Sequence, residues 1–581
     1  MTKHWPFALL LAACGTDPSG GHTAPPAVGG GGDTGGQPPQ SAGSSAGALT
    51  AGSGGSGGVA GSTTGGTPSS AGTEAGGAGG TAPELPARPN IVVILTDDQG
   101  WNATSVQMLA GRADSKSDFY ETANMERLAE MGMTFSAGYA APNCSPSRLS
   151  LLTGKSPARL KMTDIIGRTK GTEYLGHPIL PPGHVDNVAG RIQAIPSGEQ
   201  TIAELIKAHD PEYVTAHFGK WHLAGEGPAL HGFDQSDGET SNETGNVGGD
   251  DPKLVFSLAE KAETFIKERA AADQPFYLQV SQYAVHEDTF ALASTIAKYE
   301  AKTPGTVHSD AEFAAMTEHL DTSIGRILDA LGDPNGDGDP SDGLLASTYV
   351  VLLADNGAVD AISDNVPLAE GKATTYEGGI RVPFLVAGPA IAGSSRSDIP
   401  VSEFDLLPTI AEWVGAVPAA TALDGGSFAS LTRGEVGFVQ GRETGLVFHF
   451  PHYQVAKGAK PMSSVRDGNY KLDHFYETGK DQLFDLSVDL GEENDLAGAK
   501  PKMVRELRRK LRDYLRDVDA PMPRLNPEFY TGSAPDVDQD GLNDDWEFRE
   551  LLTTAYSGSD DPDGDGKDNE SELAQGTDPL P

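Results

Sequence analysis

The amino-acid sequence predicts an α/β fold: a mixed, mainly parallel sheet with helices on both faces, followed by a small C-terminal antiparallel-sheet subdomain. Three observations carry this expectation. Continuous apolar, β-branched runs occur at 91–95, 276–280 and 349–354, the pattern of strands buried on both faces. Helical stretches lie between them, at "ETANMERLAEMG" (121–132), "EQTIAELIKAH" (199–209) and "SLAEKAETFIKERAA" (257–271). Beyond these, "FHFPHYQ" (448–454), "PMSSVRDGNYKLDHF" (461–475) and "DQLFDLSVDLGEENDLA" (481–497) are short alternating runs suited to antiparallel strands.

Before the first strand the chain carries segments of another kind. Lys3 precedes an apolar run at 5–13 of signal-peptide length, too short to cross a bilayer as a helix. Its end, Leu11-Ala12-Ala13-Cys14, resembles the lipobox of bacterial lipoproteins, which implies that residues 1–14 are a signal ending at a lipidated Cys14. Gly15 in place of aspartate resembles an outer-membrane address. The expectation is therefore an exported, membrane-anchored lipoprotein, at the outer membrane, the cell surface or the periplasm. Residues 15–87 are rich in Gly, Ser, Thr, Ala and Pro and poor in bulky apolar side chains, so they read as a disordered linker. As a flexible coil, about 70 residues reach roughly 45 Å. The formal net charge of −40 argues against a nucleic-acid partner, because phosphate binding relies on Lys and Arg. Two cysteines, Cys14 and Cys144, exclude a disulfide framework.

The expected strands end in polar residues. Asp97 and Asp98 close the first, Asp355 and Asn356 close the last, and the middle one leads to His286. Ligands of parallel sheets bind beyond the carboxyl ends of the strands, so these residues are placed to meet. Three carboxylates and one amide carbonyl, without a nearby Cys-His set, suit a hard cation, Ca²⁺ or Mg²⁺. Either pair alone is an ordinary turn closing a strand. Two pairs, each after a buried-type strand, favour a metal site. The phrase "PNCSPSRLSLLTGK" (142–155) places Cys144 where a loop enters a helix, with Pro146 early in it and Gly154 at its stop. Free amides at a helix N-terminus favour an anion, and Arg148 adds a positive fork one turn on. The phrase reads as a nucleophile facing a tetrahedral oxyanion.

Cys144, Pro146, Ser147, Arg148, Thr153 and Gly154 together resemble the signature of the type I sulfatases. "RPNIVVILTDDQGW", "HFGKWHLAG", "LLADNG", "GKATTYEGGIRVPF" and "DLLPTIAEWVG" follow in the family's order, so the resemblance spans residues 88–527. It implies an alkaline-phosphatase-like fold, with a catalytic domain at 88–425 and a C-terminal subdomain at 426–530. It also implies that a separate maturation enzyme oxidises Cys144 to Cα-formylglycine. One hydroxyl of the hydrated aldehyde would attack sulfur, and the other would then expel sulfate. By the same resemblance, Asp97, Asp98, Asp355 and Asn356 hold Ca²⁺ together with residue 144, Mg²⁺ being the alternative. Arg148 orients residue 144, while Lys220 and Lys372 neutralise sulfate oxygens. His222 deprotonates the hemiacetal hydroxyl, and His286 contacts the ester and helps protonate the leaving oxygen. The family usually has Gly before Tyr213 and a small aliphatic residue before Gly219, whereas Glu212 and Phe218 stand here. Lys220 and His222 keep their places.

The implied substrate is an aryl sulfate or a sulfated saccharide, possible polysaccharides included. Phosphonate monoester and phosphodiester hydrolases share the cysteine motif and the metal ligands, and a surface sulfoglycan-binding protein without turnover is a further reading. His449 and His452 fit equally a packed aromatic-histidine strand and a substrate pocket. Residues 531–581 read as a separate module. "DVDQDGLNDDWE" and "DPDGDGKDNESE" each set Asp at loop positions 1, 3 and 5, Gly at 6 and Glu at 12. The oxygens are those of Asp536, Asp538, Asp540 and Glu547, and of Asp561, Asp563, Asp565 and Glu572. That spacing wraps Ca²⁺ in a twelve-residue loop, and the pair resembles thrombospondin type 3-like or EF-hand-like repeats. "DPNGDGDPSDG" at 333–343 lacks the final Glu and reads as a weaker calcium loop.

Overall fold

The computed structural model describes residues 85–167, 176–183, 193–225, 227–419, 422–442, 445–454 and 458–580. Cys14, where lipidation is expected, and the expected linker up to residue 84 lie outside the described residues. Among the described residues, no helix is long and apolar enough to cross a membrane.

The strand Asn90–Thr96, buried along its whole length, is the hub of an eight-stranded sheet. The spatial order is Ser395–Ser397, Gly132–Phe135, Phe384–Ala387, Thr348–Ala354, Asn90–Thr96, Phe276–Ser281, Val214–Gly219 and Gln235–Ser236. The hub runs parallel to Thr348–Ala354 and Phe276–Ser281, and Val214–Gly219 continues the parallel set. Phe384–Ala387 runs antiparallel to both of its neighbours, which makes the sheet mixed. The apolar runs expected at 91–95, 276–280 and 349–354 are thus strands, each slightly longer than the run itself.

Alternation along the hub explains why the run had to be continuous. Val92 and Ile94 pack on one face with Leu258, Phe265, Leu320 and Ile324 from the helices Val255–Ala271 and Ala311–Gly332. Ile91, Val93 and Leu95 pack on the other with Leu149 and Leu152 of Cys144–Thr153, Ile202 of Ile202–His209 and Ile410 of Leu406–Val414. Each such side chain contributes about 1.5–3 kcal/mol relative to exposure. With both faces covered, only the strand ends are left for chemistry.

The C-terminal sheet is an antiparallel meander of Leu446–Phe450, Met462–Asp467, Tyr470–Phe475 and Lys480–Asp485. The helix Pro501–Asp517 buries Leu507, Leu511 and Leu515 against it. Two features differ from expectation. Phe428, Ala429 and Val439 belong to the catalytic core, so the subdomain sheet starts at Leu446, well beyond residue 426. Val537, Phe548 and Leu552 share a hydrophobic cluster with Leu472, Leu483 and Leu507. The acidic tail is therefore built onto the subdomain core and does not stand apart. Its sequence looks separate because the acidic loops outweigh the few apolar residues that anchor it.

A buried ionic joint fastens the subdomain to the catalytic domain. Lys471 Nζ lies 2.6 Å from Glu492 Oε1 and 3.4 Å from Glu377 Oε1, with all three side chains fully buried. Glu377 also accepts from Tyr139 at 2.7 Å and Arg381 at 2.9 Å, and its amide donates to Glu492 at 2.7 Å. Removing the cation strands buried carboxylates. Lys471→Met is expected to lower stability by about 3–5 kcal/mol, read as a fall in the urea midpoint followed by circular dichroism. An unchanged midpoint would show that the joint carries no stability.

Candidate active site

Four neighbouring strands deliver the site at their carboxyl ends. Asp97 and Asp98 follow Asn90–Thr96, Asp355 and Asn356 follow Thr348–Ala354, Lys220 and His222 follow Val214–Gly219, and His286 follows Phe276–Ser281. Backbone bonds continue the ladder past the strand ends. Asp97 donates to Ala284 at 3.0 Å, Asp355 to Thr96 at 3.0 Å and Lys220 to Ser281 at 2.8 Å. The site residues are thus set by the sheet register and not by free loops.

Two turns are held in the left-handed region, at Asp98 (φ 57°) and His222 (φ 53°). A non-glycine residue there costs about 1–3 kcal/mol and persists only where its surroundings hold it. At Asp98 the amide donates to Asp355 Oδ1 at 3.1 Å, and at His222 the amide donates to Thr240 O at 2.8 Å.

Cys144 begins the helix Cys144–Thr153, whose Asn143 cap makes no side-chain capping bond, and Gly154 ends it with φ 69°. Its Sγ lies 3.7 Å from Asp97 Oδ1, 3.8 Å from Asp98 Oδ1 and 3.2 Å from Lys372 Nζ. Single ligand atoms of Asp97, Asp98, Cys144 and Asp355 all fall within 4.8 Å of one another. Arg148 sends Nε and Nη2 to Asp355 Oδ2 at 3.0 and 2.7 Å, and Nη1 to the Lys220 carbonyl at 2.7 Å. Its fork therefore locks two strand ends together and reaches residue 144 through Asp355. Lys220 Nζ pairs with Asp97 Oδ2 at 2.5 Å and Lys372 Nζ with Asp98 Oδ1 at 2.5 Å. Asn356 donates to Asp98 Oδ1 at 2.7 Å. All the expected residues of this site are buried and brought together.

Burial sets the protonation. It pushes the Cys144 thiol far above its usual range, against the pull of Lys220 and Lys372. Burial, then the Lys220 and Arg148 cations, push His222 well below the usual imidazole range, so it is neutral at pH 7. His286 is also pushed well below that range by burial, with Asp98 opposing. Its Nδ1 faces the Glu287 carbonyl, which can only accept, so Nδ1 carries the proton. Nε2 then faces Asp98 Oδ2 at 3.8 Å. Asp355 is raised by burial and Asp97 against Arg148.

With this geometry in place, comparison with known proteins is decisive. The sequence profile of the Sulfatase family matches residues 89–416. The chain belongs to the sulfatase family. A second profile, N-sulphoglucosamine sulphohydrolase, C-terminal, matches residues 371–520. A "Sulfatase" of Formosa agariphila is 29% identical over 75% of this chain and 90% of its own. Human arylsulfatase A is 28% identical over 72% of this chain and 86% of its own. Among solved structures, Ps i-CgsB in complex with k-i-k-neocarrahexaose shares the fold, with a TM-score of 0.59 at 21% identity over 74% of this chain and 93% of that one. The protein is a sulfuric ester hydrolase with an alkaline-phosphatase-like, mainly parallel sheet.

Outside this centre the sulfatase resolves one open alternative. His449 is buried with both ring nitrogens engaged, by Ser463 Oγ at 2.6 Å and the Pro521 carbonyl at 2.9 Å, and burial pushes it down to about 4. It is a packed histidine. His452 bonds Thr163 Oγ1 at 2.8 Å, with Asp164 Oδ2 at 4.0 Å.

In the tail, one oxygen each from Asp536, Asp538 and Asp540 converge, as do those of Asp538, Asp544 and Glu547. Gly541 (φ 97°) and Gly566 (φ 92°) make the sharp turns that loop position 6 requires. Asp561 accepts from the Gly564 and Gly566 amides at 2.7 and 3.0 Å, and Asp565 from Lys567 at 2.8 Å. The 333–343 loop brings Asp333, Asp337 and Asp342 together in an exposed setting. The reading of the sequence missed Asp544 and, at the catalytic centre, Lys253. Asp544 stands at position 9 of the first twelve-residue loop, whereas the burial of Lys253 leaves no mark in "DDPKLVF".

Proposed function

We propose that the protein hydrolyses sulfate monoesters, with residue 144 as Cα-formylglycine for nucleophile and Ca²⁺ held by Asp97, Asp98, Asp355, Asn356 and residue 144. The observation that carries this reading is the convergence of three buried carboxylates on Cys144. The residues fit a hard cation, because Asn356 Oδ1, fully buried, accepts no hydrogen bond among the described residues. An oxygen set of this kind also accommodates Mg²⁺. When bound, the cation adds two positive charges to a site in which three carboxylates already balance Arg148, Lys220 and Lys372, which suits an anionic ester and an ionised nucleophile. The formylglycine hydrate supplies a hydroxyl nucleophile where the neutral, buried thiol of Cys144 is a poor one.

The side chains divide the remaining work. Lys220, paired with Asp97, and Lys372, paired with Asp98, orient and neutralise the sulfate oxygens. Arg148 keeps Asp355 ionised and in place. Neutral His222 accepts the proton that residue 144 gives up, and His286 exchanges a proton with the leaving oxygen through Nε2. The attacking hydroxyl belongs to the formylglycine hydrate. The substrate is an aryl sulfate or a sulfated saccharide. The name of arylsulfatase A supports the first, and the oligosaccharide held by the neighbouring structure supports the second. The lipobox-like end at Cys14 supports export, a membrane anchor and an encounter with sulfated polysaccharide outside the cell; a formylglycine-generating enzyme is the necessary partner.

In the tail, Glu547 supports structural calcium. It is fully buried, neither carboxylate oxygen has a hydrogen-bond partner among the described residues, and Glu572 Oε2 shares that condition. Asp536, Asp538, Asp540 and Glu547 would hold one ion, and Asp561, Asp563, Asp565 and Glu572 a second.

The catalytic reading is tested by turnover of an aryl sulfate, an aryl phosphate and an aryl phosphonate after co-expression with the maturation enzyme. Sulfate should be preferred, and Cys144→Ala should lose about 10³-fold or more. Preference for the phosphorus esters would assign the chain to the related phosphonate and phosphodiester hydrolases. No turnover of any of the three, with formylglycine confirmed by mass spectrometry, would point to a narrow polysaccharide substrate or to a binding protein. The tail reading is tested by melting with and without chelator. Burial and the surrounding aspartates, Asp540 first, raise Glu547 from 4.5 to about 9. A raised carboxyl stabilises the calcium-free fold below pH 4.5, and that contribution fades as pH rises towards 9. Chelation should therefore lower the melting temperature more at pH 8 than at pH 5. An equal effect at both values would contradict calcium at Glu547.

A further inference from the structure

Five lysines are buried among the described residues: Lys155, Lys220, Lys253, Lys372 and Lys471. Four of them pair with a carboxylate at 2.5–2.6 Å, those of Glu199, Asp97, Asp98 and Glu492. Lys253 has no ion-pair partner among the described residues. Its ammonium donates to Asn246 Oδ1 at 3.0 Å and lies 5.4 Å from the centre of the Phe290 ring. An ammonium has three donors and a full charge, and an amide oxygen satisfies one donor and none of the charge. A buried charge left in this state is costly, so the position calls for an anion.

The place of Lys253 says where that anion comes from. Lys253 and Leu254 both adopt left-handed backbone, at φ 56° and 55°, conformations that non-glycine residues avoid. Bonds from Lys253 N to Val247 O at 2.8 Å and from Leu254 N to Asp251 O at 3.1 Å hold the turn. The turn packs against the loop that carries His286. A Cβ on Gly245 would fall 2.1 Å from the Tyr283 ring, and one on Gly248 would fall 3.3 Å from Phe290. Burial lowers Lys253 to about 8, Asp97 raises it and Lys220 lowers it, with Asp288 and Asp98 raising it further, which puts its ammonium in the field of the catalytic centre. It remains mostly charged at neutral pH. Yet it lies beyond ion-pair distance of both Asp97 and Asp98, unlike Lys220 and Lys372. Lys253 is farther from these two carboxylates than the lysines assigned to the scissile sulfate.

We propose that Lys253 binds a second anionic group of the substrate, a sulfate or carboxylate on the saccharide beside the ester that is cleaved, so that the natural substrate is polyanionic. This rests on the sulfatase reading above. Lys253 is as buried as Lys220 and His286. A polyanion also explains why a chain with net charge −40 would bury an unpaired cation: elsewhere its field repels such a ligand.

The test uses the matured full-length enzyme, with aryl sulfate turnover as the assay and saccharides as competitive inhibitors. The panel pairs glucosamine monosulfate with glucosamine disulfate, and a sulfated hexose with the same hexose linked to a uronate. The parent should bind at least one doubly anionic member about tenfold more tightly than its singly anionic counterpart, and Lys253→Met should bring that ratio close to one. Lys253→Arg should keep part of the preference. No preference in the parent for any doubly anionic member overturns the proposal. So does an equal loss for both members of a pair, which would place Lys253 on the scissile sulfate, or an undiminished ratio, which would make it structural. Absence of turnover by the parent on the aryl sulfate and on every sulfated saccharide of the panel would instead remove the sulfatase reading, and it is seen before any variant is compared.

Discussion

Three carboxylates at the ends of two adjacent parallel strands, buried with three cations, are the constraint on which the structure depends. Asp97, Asp98 and Asp355 are buried and repel one another with little solvent screening. Arg148, Lys220 and Lys372 arrive from a helix, a neighbouring strand end and a separate loop, and each pairs with one of the carboxylates at 2.5–2.7 Å. Much of the architecture serves that placement. The two-sided core makes the sheet rigid, and the strand register carries the carboxylates to fixed positions. Left-handed turns at Asp98 and His222 aim side chains that an extended chain would direct elsewhere.

The C-terminal subdomain belongs to the same device. Lys372 lies on the segment 371–384 that also carries Glu377, and Glu377 is held by Lys471 and Arg381. The Glu377 amide bonds Glu492, which Lys471 holds in turn, so the catalytic loop is fastened to a second sheet. Calcium in the tail would act one step farther out, because the tail residues Phe548 and Leu552 share the core of that sheet.

Much of this was legible in the sequence, and the reasons are physical. A strand buried on both faces has to be continuously apolar, so 91–95 and 349–354 declared themselves, and their polar ends declared the site. The Cys144 helix was legible because Pro146 and Gly154 are punctuation with fixed backbone meaning. Partnerships were less legible. Arg148 was expected to orient residue 144, but its fork grips Asp355 and the Lys220 carbonyl, contacts made across long sequence separations. His449 fitted a pocket or a core until its two nitrogen partners, one of them the distant Pro521 carbonyl, were visible. The boundary at 426 and the apparent independence of the tail misled for one reason: composition reports average polarity, whereas a few residues such as Phe428 and Phe548 decide which core a segment joins. Lys253 had no signal, because burial without an ion-pair partner is a property of the folded chain alone.

The central claim is that the cluster of Asp97, Asp98, Asp355 and Asn356 is a cation site in a family of sulfuric ester hydrolases. Calorimetric titration of the chelator-stripped full chain with Ca²⁺, compared with the same titration of Asp98→Asn, tests it most directly. The tail loops are intact in both proteins. The expected result is one calcium fewer per chain in the variant, with the remaining sites unaltered. Equal stoichiometry and equal affinities in the two proteins would contradict a cation at the catalytic carboxylates.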